Sequence, residues 1–388
     1  MINEIKFKNY KLFKNEQILK LKPITILIGK NSSGKSAIAK LLILLSESLS
    51  GKFSTPLKWE NEVGKDKISL GTDFKDLVYN RNSINALSFD ISSQKEHLKI
   101  SLTGNDDNKV EILEYILNGK EFDITTTKFL GFTNETTKSD DLKINVDYIG
   151  AFRCMPKSSY SYSADDYNKI GIDGQNAYPI LIKAFLKSET PSLLSETSEW
   201  YETNFENWKL DVLKIDAKTE TLYQIVLSNQ SPDTKKSIKP INIVNVGEGM
   251  HQVLPLVVRS FMPEEEETLI IIEEPETHLH PAAHGNLAER FVMSHLNNKN
   301  KNYLIETHSN NFVLRMRRLV AAGKLKKDDL AIYYIDFDED KNESFIRFIE
   351  IDDEGKVKNN DWPKGIFSET LEETSAIRTA QLEKQSKK

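Results

Sequence analysis

The residue types best suited to chemistry lie in one short stretch, residues 29–36. It reads GKNSSGKS and matches the phosphate-loop pattern G-x-x-x-x-G-K-[ST] at every fixed position. Gly29 and Gly34 allow backbone conformations in which successive N–H groups point at a phosphate. Lys35 is expected to reach the β- and γ-phosphates of a nucleotide, and the Ser36 hydroxyl to bind Mg²⁺. The alternative is an ordinary Gly/Ser turn between a strand and a helix, which the flanking residues make less favourable.

A pair of acidic residues forms the second candidate group. Residues 268–272 are apolar apart from Thr268 and end in Glu273 and Glu274. The carboxyl end of a buried strand is where an α/β sheet binds its ligand. We expect Glu273 to hold Mg²⁺, directly or through water, and Glu274 to polarise an attacking water. The alternative is two surface acids at a strand end, and the phosphate loop elsewhere in the chain argues against it.

A histidine follows a second apolar segment. Residues 302–305 read as a buried strand, and residues 306–309 after it read ETHS. His308 at that strand end is positioned to contact a γ-phosphate. A lone histidine is more often structural, but the parallel-strand context favours a role at the ligand.

Regular elements must position these residues. Residues 23–28 before the phosphate loop are β-branched and apolar, and residues 37–45 after it are helix formers, so a strand and a helix flank the loop. The helix is expected to end near Gly51. Residues 52–150 contain short segments of strand character between polar clusters, which predicts an antiparallel lobe. Apolar residues at helical spacing follow at 178–187 and 193–215, without the sustained heptads of a long coiled coil.

Composition limits the classes of protein that this chain can belong to. Its 388 residues allow two domains, or one large domain with an insertion, and no apolar run approaches the ~20 residues that span a bilayer. The N-terminus lacks the apolar core of a signal peptide. Cys154 is the only cysteine, which excludes an internal disulfide. We therefore expect a cytoplasmic protein that makes no membrane contact.

The net charge of −6 argues against a protein that simply coats nucleic acid. DNA binding would need a local basic patch, and the chain offers two candidates. The lysines and arginines of these two patches are Lys6, Lys8, Lys11 and Lys14, and Arg315, Arg317, Arg318, Lys324, Lys326 and Lys327. We favour solvated surface charge for both patches, because acidic residues dominate the chain.

An ordered set of motifs resembles a known class of ATPase. The set is GKNSSGKS at 29–36, NVGEGMHQVLP at 245–255, LIIIEEPETHLHP at 269–281 and LIETHS at 304–309. It resembles the ABC-type ATPase heads of the SMC, RecF and OLD group, in particular the bacterial stand-alone AAA-like ATPases that share the ATPase part of OLD. Residues 361–367, DWPKGIF, resemble part of a C-terminal domain of unknown function found in these ATPases.

The resemblance implies a role for each motif. Walker A, the phosphate loop at 29–36 with Lys35 and Ser36, would bind ATP. Walker B would supply Glu273 and the catalytic carboxylate Glu274, and His308 would be the switch histidine. Gly247 and Gly249 stand where such heads carry their signature, although the usual Ser-Gly-Gly core is replaced here by Gly-Glu-Gly. Residues implied in ATP binding are Gly29, Asn31, Ser32, Ser33, Gly34, Lys35, Ser36, Ala37, Gly247 and Gly249. The cofactors implied are ATP and Mg²⁺.

The resemblance also implies an architecture and an assembly. The fold class is α/β: an ABC-type P-loop ATPase head with an antiparallel β lobe and a helical insertion. We predict an N-terminal ATPase lobe over 1–150, a mainly helical insertion over 151–240, a C-terminal ATPase lobe over 241–330, and a hairpin with a tail over 331–388. The head would form a homodimer, or a higher even oligomer, through an ATP sandwich between Walker A of one subunit and the signature of another.

Two other site hypotheses are weaker. His278, His280 and His284 have an H-x-H-x-x-x-H spacing, which is not a standard zinc pattern. The resemblance places residues 278–280 at the D-loop of such heads, which accounts for two of the three histidines. Asp336 and Asp338 form a D-x-D after an apolar strand, as in the Toprim nuclease domain of OLD proteins. Only 58 residues follow Leu330, too few for such a domain, so we predict a hairpin and no built-in nuclease.

The function predicted from these residues is an ATP-dependent dimeric switch. The resemblance suggests a sensor or regulator in bacterial anti-phage defence or genome maintenance, acting with a separate effector protein such as a nuclease, and possible DNA binding. The alternative is a structural scaffold that ATP binding stabilises, with little turnover. A transporter motor is the weakest candidate, since no membrane segment is present and the signature departs from that pattern.

Overall fold

A computed structural model describes residues 2–58, 60–63, 66–105, 109–135, 141–187, 192–216, 220–229, 239–360, 362–363 and 375–379. Within these ranges no helix is long and apolar enough to cross a membrane. Most of the tail segment 361–367 lies outside the described residues.

Strands dominate the first third of the chain, and strands and helices alternate in the last third. The strands are β1 Glu4–Lys8, β2 Gln17–Lys20, β3 Ile24–Gly29, β4 Glu60–Val63, β5 Asp66–Ser69, β6 Leu87–Ser92, β7 His97–Gly104, β8 Val110–Leu117, β9 Lys120–Glu121, β10 Phe129–Leu130, β11 Thr133–Asn134, β12 Asn145–Ile149, β13 Tyr160–Ser161, β14 Trp208–Asp216, β15 Thr221–Asn229, β16 Ile241–Asn242, β17 Thr268–Glu273, β18 Lys301–Glu306, β19 Leu330–Asp338 and β20 Glu343–Ile349. The helices are α1 Lys35–Ser48, α2 Ala177–Lys187, α3 Leu193–Asn204, α4 Glu248–Phe261, α5 Pro281–Asn297 and α6 Asn310–Ala321.

The central sheet brings the motif-bearing strands together. Its order is β12-β17-β18-β3-β19-β20, with β12, β17, β18, β3 and β19 parallel and β20 antiparallel at the edge. The strand before the phosphate loop, β3, is buried along its whole length, as expected for a parallel strand covered on both faces. Because parallel strands end at the same edge of the sheet, residues 29–36, Glu273 and Glu306 meet there.

A second, antiparallel sheet covers one face of the first. Its order is β2-β1-β6-β7-β8-β9, which confirms the antiparallel lobe predicted from the sequence. Helix α1 lies between the two sheets, and its apolar residues pack into a core shared by both. This double cover explains why α1 is apolar on more than one face, with buried residues from Ile38 to Leu45.

The other face of the central sheet is covered by helices α2 to α6, which pack with β14 and β15 into a separate core. The sequence predicted helical structure over 193–215, and the second half of that prediction is wrong. Helix α3 ends at Asn204, and Trp208–Asp216 form a strand paired with β15 along its length. Leu210 and Val212 alternate with exposed or half-buried residues, which is strand periodicity. The range 151–240 is therefore mixed rather than mainly helical.

The C-terminal hairpin has the form expected from the sequence. Strands β19 and β20 pair from Ile332 with Ile349 to Asp338 with Glu343. Asp336 accepts hydrogen bonds from the Tyr334 hydroxyl, at 2.5 Å, and from the backbone N–H of Phe337. The two aspartates thus serve a hairpin at the sheet edge. The domain boundaries given above stay predictions.

Candidate phosphate-binding and hydrolysis site

The backbone of the phosphate loop requires glycine at both fixed positions. Gly29 has a φ of +155°, and a side chain there would place its first carbon 2.1 Å from the carbonyl oxygen of Ile335 on the neighbouring strand β19. Gly34 has a φ of +108°, and its missing side chain leaves room for the ring of Phe13. Both conformations disfavour any other residue. The phosphate loop therefore packs against Ile335 and Phe13 only because glycine stands at both positions.

Lys35 and Ser36 point into the space enclosed by the loop. The Lys35 ammonium is buried and donates to the carbonyl oxygens of Gly29, at 3.1 Å, and Lys30, at 2.7 Å. Burial lowers the pKa of Lys35, and the nearby Glu306 opposes that shift. The Ser36 hydroxyl donates to the Glu306 carboxylate at 2.9 Å. The donors that a triphosphate needs are thus in place and are held by protein acceptors.

Glu306 is the site residue that the sequence analysis did not assign. It ends β18, lies between Glu273 on β17 and the phosphate-loop strand, and is 4% exposed. Its carboxylate is 3.9 Å from the Lys35 ammonium. Burial, together with Glu273 nearby, raises the pKa of Glu306 to about 7. The signal for it in the sequence was an acidic residue at the end of an otherwise apolar strand, the same signal that identified Glu273.

Oxygen donors at this position fit a magnesium ion. Glu273 Oε1 is buried, and within the described part of the chain it has no hydrogen-bond partner. Burial raises the pKa of Glu273, because desolvation favours the neutral form of a carboxyl group, and a hydrogen bond with Tyr148 opposes that shift. A hydroxyl and two carboxylates, from Ser36, Glu273 and Glu306, are the hard ligands that Mg²⁺ prefers.

Glu274 and His308 face each other across the site. Glu274 Oε1 and His308 Nε2 are 4.0 Å apart, and the Thr277 hydroxyl donates to Glu274 Oε2 at 3.2 Å. Ligand atoms of Glu274, Glu306 and His308 all lie within 4.8 Å of one another. Burial lowers the pKa of His308, which favours its neutral form. Glu274 and His308, the two side chains expected beside a γ-phosphate, therefore share one space with Glu306.

The backbone at Glu274 is unusual. Its φ of +44° is left-handed for a residue with a side chain, which costs of order 1–3 kcal/mol. The side chain of Glu276 fixes the segment that follows β18, because its carboxylate accepts a hydrogen bond from the backbone N–H of His308 at 2.6 Å. Glu276 was also missed by the sequence analysis, which read residues 275–277 only as part of the Walker B motif.

The remaining loop residues have varied surroundings. Asn31 and Ser32 are exposed at the mouth of the loop, and Ser32 has a left-handed φ of +61°. Ser33 is buried, and its hydroxyl is without a hydrogen-bond partner among the described atoms. The Ala37 carbonyl accepts from the Tyr10 hydroxyl at 3.1 Å, so the first turn of α1 is fixed to the connection between β1 and β2.

The signature glycines are not brought to this site within one chain. Gly247 precedes α4 and is exposed, and in the described residues no hydrogen bond or ion pair links residues 247–249 to residues 29–36. A side chain at Gly247 would meet nothing within 4 Å. At Gly249 its first carbon would lie 2.5 Å from the carbonyl oxygen of His278. Glycine at 249 is thus explained by close packing, and only Gly247 faces open space.

The three histidines of the Walker B region each have protein partners. His278 Nδ1 lies 3.0 Å from a carboxylate oxygen of Glu248, and His280 accepts from the backbone N–H of Ala282 at the start of α5. His284 bonds to the Ser309 hydroxyl at 2.7 Å and to the carbonyl oxygen of Leu279. Their ring nitrogens serve caps and loop contacts.

Comparisons with known protein families match most of the chain. The family described as "AAA ATPase domain" matches residues 1–189 and 183–313, and the family described as "Protein of unknown function (DUF3696)" matches residues 325–377. No curated protein matches the chain.

Solved structures similar to this chain include SMC heads. An SMC head bound to the C-terminal winged-helix domain of ScpA has a TM-score of 0.50 at 12% identity, covering 90% of this chain and 98% of that one. An SMC head from Thermotoga maritima has a TM-score of 0.44 at 11% identity, covering 90% and 99%. An SMC head from Pyrococcus furiosus, with an extended coiled coil and bound to the C-terminal domain of ScpA, has a TM-score of 0.47 at 12% identity, covering 90% and 96%.

The first of these structures shares the α/β head fold of the present chain, whose described residues contain no long coiled coil. The family match extends over most of the sequence, from the phosphate loop through Walker B to His308. The family match supports ATPase activity, and the structural likeness shows the fold. The chain belongs to the family of AAA ATPase domains.

Proposed function

We propose that this protein binds ATP with Mg²⁺ and hydrolyses it at the site described above. The observation that carries the proposal is the convergence of three parallel strand ends. The phosphate loop after β3, Glu273 and Glu274 after β17, and Glu306 and His308 after β18 meet at one edge of the sheet. These residues are candidates for the parts that phosphoryl transfer to water requires, which supports the proposal.

The chain's own residues suggest how hydrolysis proceeds. Lys35 exchanges its two carbonyl acceptors for oxygens of the β- and γ-phosphates. Ser36, Glu273 and Glu306 would hold Mg²⁺, which supplies charge neutralisation when bound. Glu274 accepts a proton from water as the water oxygen bonds to the γ-phosphorus and the bond to the bridging oxygen breaks, giving ADP and phosphate. His308, beside Glu274, contacts the transferred phosphoryl group.

The magnesium role of Glu306 can be tested by binding alone. We expect Glu306→Gln to strengthen nucleotide binding in EDTA. The Glu306 carboxylate accepts from Ser36 and lies beside the Lys35 ammonium, so its negative charge competes with the phosphates for both groups. The same change should reduce the gain in affinity that Mg²⁺ provides by roughly 10-fold, the value of one charge-assisted contact. Titration calorimetry with ADP, with and without Mg²⁺, measures both effects.

The matched control for this experiment is Glu265→Gln. It removes one carboxylate from an exposed position before β17, remote from the phosphate loop in the sheet. Its two affinities should equal those of the parent protein. A Glu306→Gln variant with an unchanged response to Mg²⁺ would remove Glu306 from the proposed ligand set and leave Ser36 and Glu273.

We further propose that the active unit is a homodimer, or a higher even oligomer, with ATP shared between subunits. The support lies in α4. Its first turn has no side-chain cap, and Gly247 before it is exposed and faces open space. Free N–H groups at a helix N-terminus favour a phosphate. Since residues 247–249 have no bond to their own phosphate loop, a second subunit would supply the nucleotide that they contact.

Mixing two inactive variants tests the shared site. Gly249→Asp is unsuitable, because any side chain there displaces the His278 carbonyl. Gly247→Asp introduces the same charge without a clash, at a φ of −59° open to any residue. Lys35→Ala and Gly247→Asp should each be inactive alone. After subunit exchange, about half of the dimers are mixed and each holds one intact site of two, so about a quarter of parental activity should return.

Exchange must be shown by native mass measurement, with and without ATP, before the activity is read. Gly247→Asn is the matched control, since it fills the same space without the charge and should be less inhibited than Gly247→Asp. Full activity of Gly247→Asp on its own would mean that this segment never meets ATP. Confirmed exchange with no recovery would count against independent composite sites.

The biological role that we propose is regulation in anti-phage defence or genome maintenance, through a separate effector protein such as a nuclease, in the cytoplasm. The support is the resemblance to stand-alone ATPases of the OLD type. Asp336 and Asp338, the D-x-D residues, belong to a hairpin, so we assign any nuclease activity of such a system to a separate protein. The alternative, an ATP-stabilised scaffold, predicts binding with negligible turnover. Steady-state hydrolysis with and without DNA separates the two.

DNA is the less supported partner. Several members of the second basic patch are paired with acids: Arg315 and Lys324 both contact Glu289, and Lys327 contacts Asp353 at 2.7 Å. Paired surface charges attract a phosphate backbone less than free ones. In the other patch Lys6 pairs with Glu4 and Lys11 donates to the carbonyl oxygen of Leu70, so stimulation of hydrolysis by DNA would direct attention to Lys8 and Lys14.

A further inference from the structure

Arg153 is a buried guanidinium that the hydrolysis mechanism leaves without a role. It is 5% exposed. Its Nη1 donates to the carbonyl oxygens of Gly150, at 3.3 Å, and Glu273, at 3.4 Å, and its Nη2 donates to the carbonyl oxygen of Glu274 at 3.1 Å. One side chain thus holds the main chain of both acidic residues without touching their carboxylates.

The segment that Arg153 holds needs external support. We call residues 273–280 the Walker B loop. Glu274, with a φ of +44°, and His278, with a φ of +65°, both have left-handed backbones although both carry side chains. Such conformations persist only where surrounding contacts impose them. The Glu274 N–H donates to the carbonyl oxygen of Glu306 at 2.8 Å within the sheet, so contacts on its carbonyl side decide how the loop leaves β17.

The supporting contacts lead to helix α4. The Gln252 amide, on α4, donates to the carbonyl oxygen of Arg153 at 3.2 Å. Gly249, also on α4, packs so closely on the His278 carbonyl that no side chain fits between them. Glu248 pairs with His278 at 3.0 Å. Both left-handed residues of the Walker B loop are therefore fastened to the first turns of α4, Glu274 through Arg153 and His278 directly.

We propose that Arg153 is a positioning residue that fixes the Walker B loop to helix α4, so that the placement of the Glu274 carboxylate depends on the position of that helix. The inference rests on the proposed role of Glu274 as the base. It adds that a ligand which moves α4 changes the hydrolysis rate without changing the phosphate loop. In a dimer of the proposed kind, α4 faces the nucleotide of the partner, and Arg153 then links the occupancy of one site to turnover at the other.

Arginine suits this position for a geometric reason. Its planar fork offers five N–H donors in fixed directions, whereas lysine offers three donors from one point on a shorter reach. A lysine at 153 can serve one of the carbonyls of Gly150, Glu273 and Glu274 but not all of them. Arg153→Lys therefore keeps the charge and removes the linkage, which separates positioning from electrostatics.

The first measurement compares nucleotide binding with turnover. Arg153→Lys should bind ATP within about threefold of the parent, since Lys35 and Ser36 are untouched, but turn over roughly 10- to 100-fold more slowly, the usual effect of a misplaced catalytic group. Gln252→Leu breaks only the contact with α4 and should slow turnover by roughly 2- to 10-fold, the value of one hydrogen bond. Lys157→Gln, an exposed change in the same segment as Arg153, should have no effect.

The decisive measurement combines Arg153→Lys with Glu274→Gln. If Arg153 acts through Glu274, the double variant hydrolyses ATP as slowly as Glu274→Gln alone, since residues that act as one unit are not additive. Additive losses would overturn the inference and leave Arg153 as a structural residue. If Arg153→Lys fails to fold in a melting experiment, Gln252→Leu in the Glu274→Gln background gives the same test. A Glu274→Gln variant with parental activity would overturn the proposed base and this inference together.

Discussion

Replacing Glu274 with glutamine is expected to slow ATP hydrolysis by roughly 10²- to 10⁴-fold, the usual contribution of a general base. Glutamine keeps the shape and the hydrogen bond from Thr277 but cannot accept a proton from water. Nucleotide affinity should stay near the parental value, because the phosphates are held by the loop. Single-turnover hydrolysis and calorimetric titration measure the two quantities separately.

The Glu274→Gln variant should also accumulate the ATP-bound dimer, visible as doubled mass in the presence of ATP and Mg²⁺. Glu266→Gln is the matched control, because it makes the same substitution at an exposed residue near the opposite end of β17. Hydrolysis at the parental rate would show that Glu274 is not the base. His308, 4.0 Å away, would then be the next side chain to replace.

The second large effect is expected from Lys35→Ala, which should abolish tight ATP binding. Each charge-assisted hydrogen bond contributes about 1.5–3 kcal/mol, so loss of the contacts to two phosphates should weaken affinity at least ~100-fold. The buried ammonium also faces Glu306, whose carboxylate would lose its nearest cation. Calorimetric titration with ATP and Mg²⁺ gives the loss directly.

Two comparisons separate the loss of phosphate contacts from damage to the fold. Lys14→Ala removes a positive charge from an exposed residue next to Phe13, which packs on Gly34, and should leave the affinity unchanged. Lys35→Ala combined with Glu306→Gln removes the unpaired buried carboxylate and should recover any lost thermal stability, but not ATP binding. Parental affinity in Lys35→Ala would mean that residues 29–36 do not bind the nucleotide.

Local sequence patterns were sufficient to predict a structural element wherever its pattern lies within one continuous segment. The strand, glycine loop and helix around Lys35 were predicted correctly because apolar periodicity and fixed glycines act within one segment. The same holds for the hairpin of β19 and β20, where two apolar runs flank a polar turn. Helix α3 marks the limit of this reasoning. Its apolar spacing continues past Asn204, and only pairing with β15 decides that Trp208–Asp216 is a strand.

The sequence by itself determined which residues could bind phosphate and polarise water, because those roles depend on residue type at fixed spacing. The tertiary structure decided which distant residues join them. Glu306 is 270 positions from Ser36 along the chain, and Arg153 is 121 from Glu274, so no local pattern pairs them. The fold also gives a different reason for glycine at 249. The sequence analysis placed Gly249 among the ATP-binding residues, whereas in the fold it packs against the His278 carbonyl. Strand order and helix packing set these contacts, and both arise from burial of apolar surface between segments far apart in sequence.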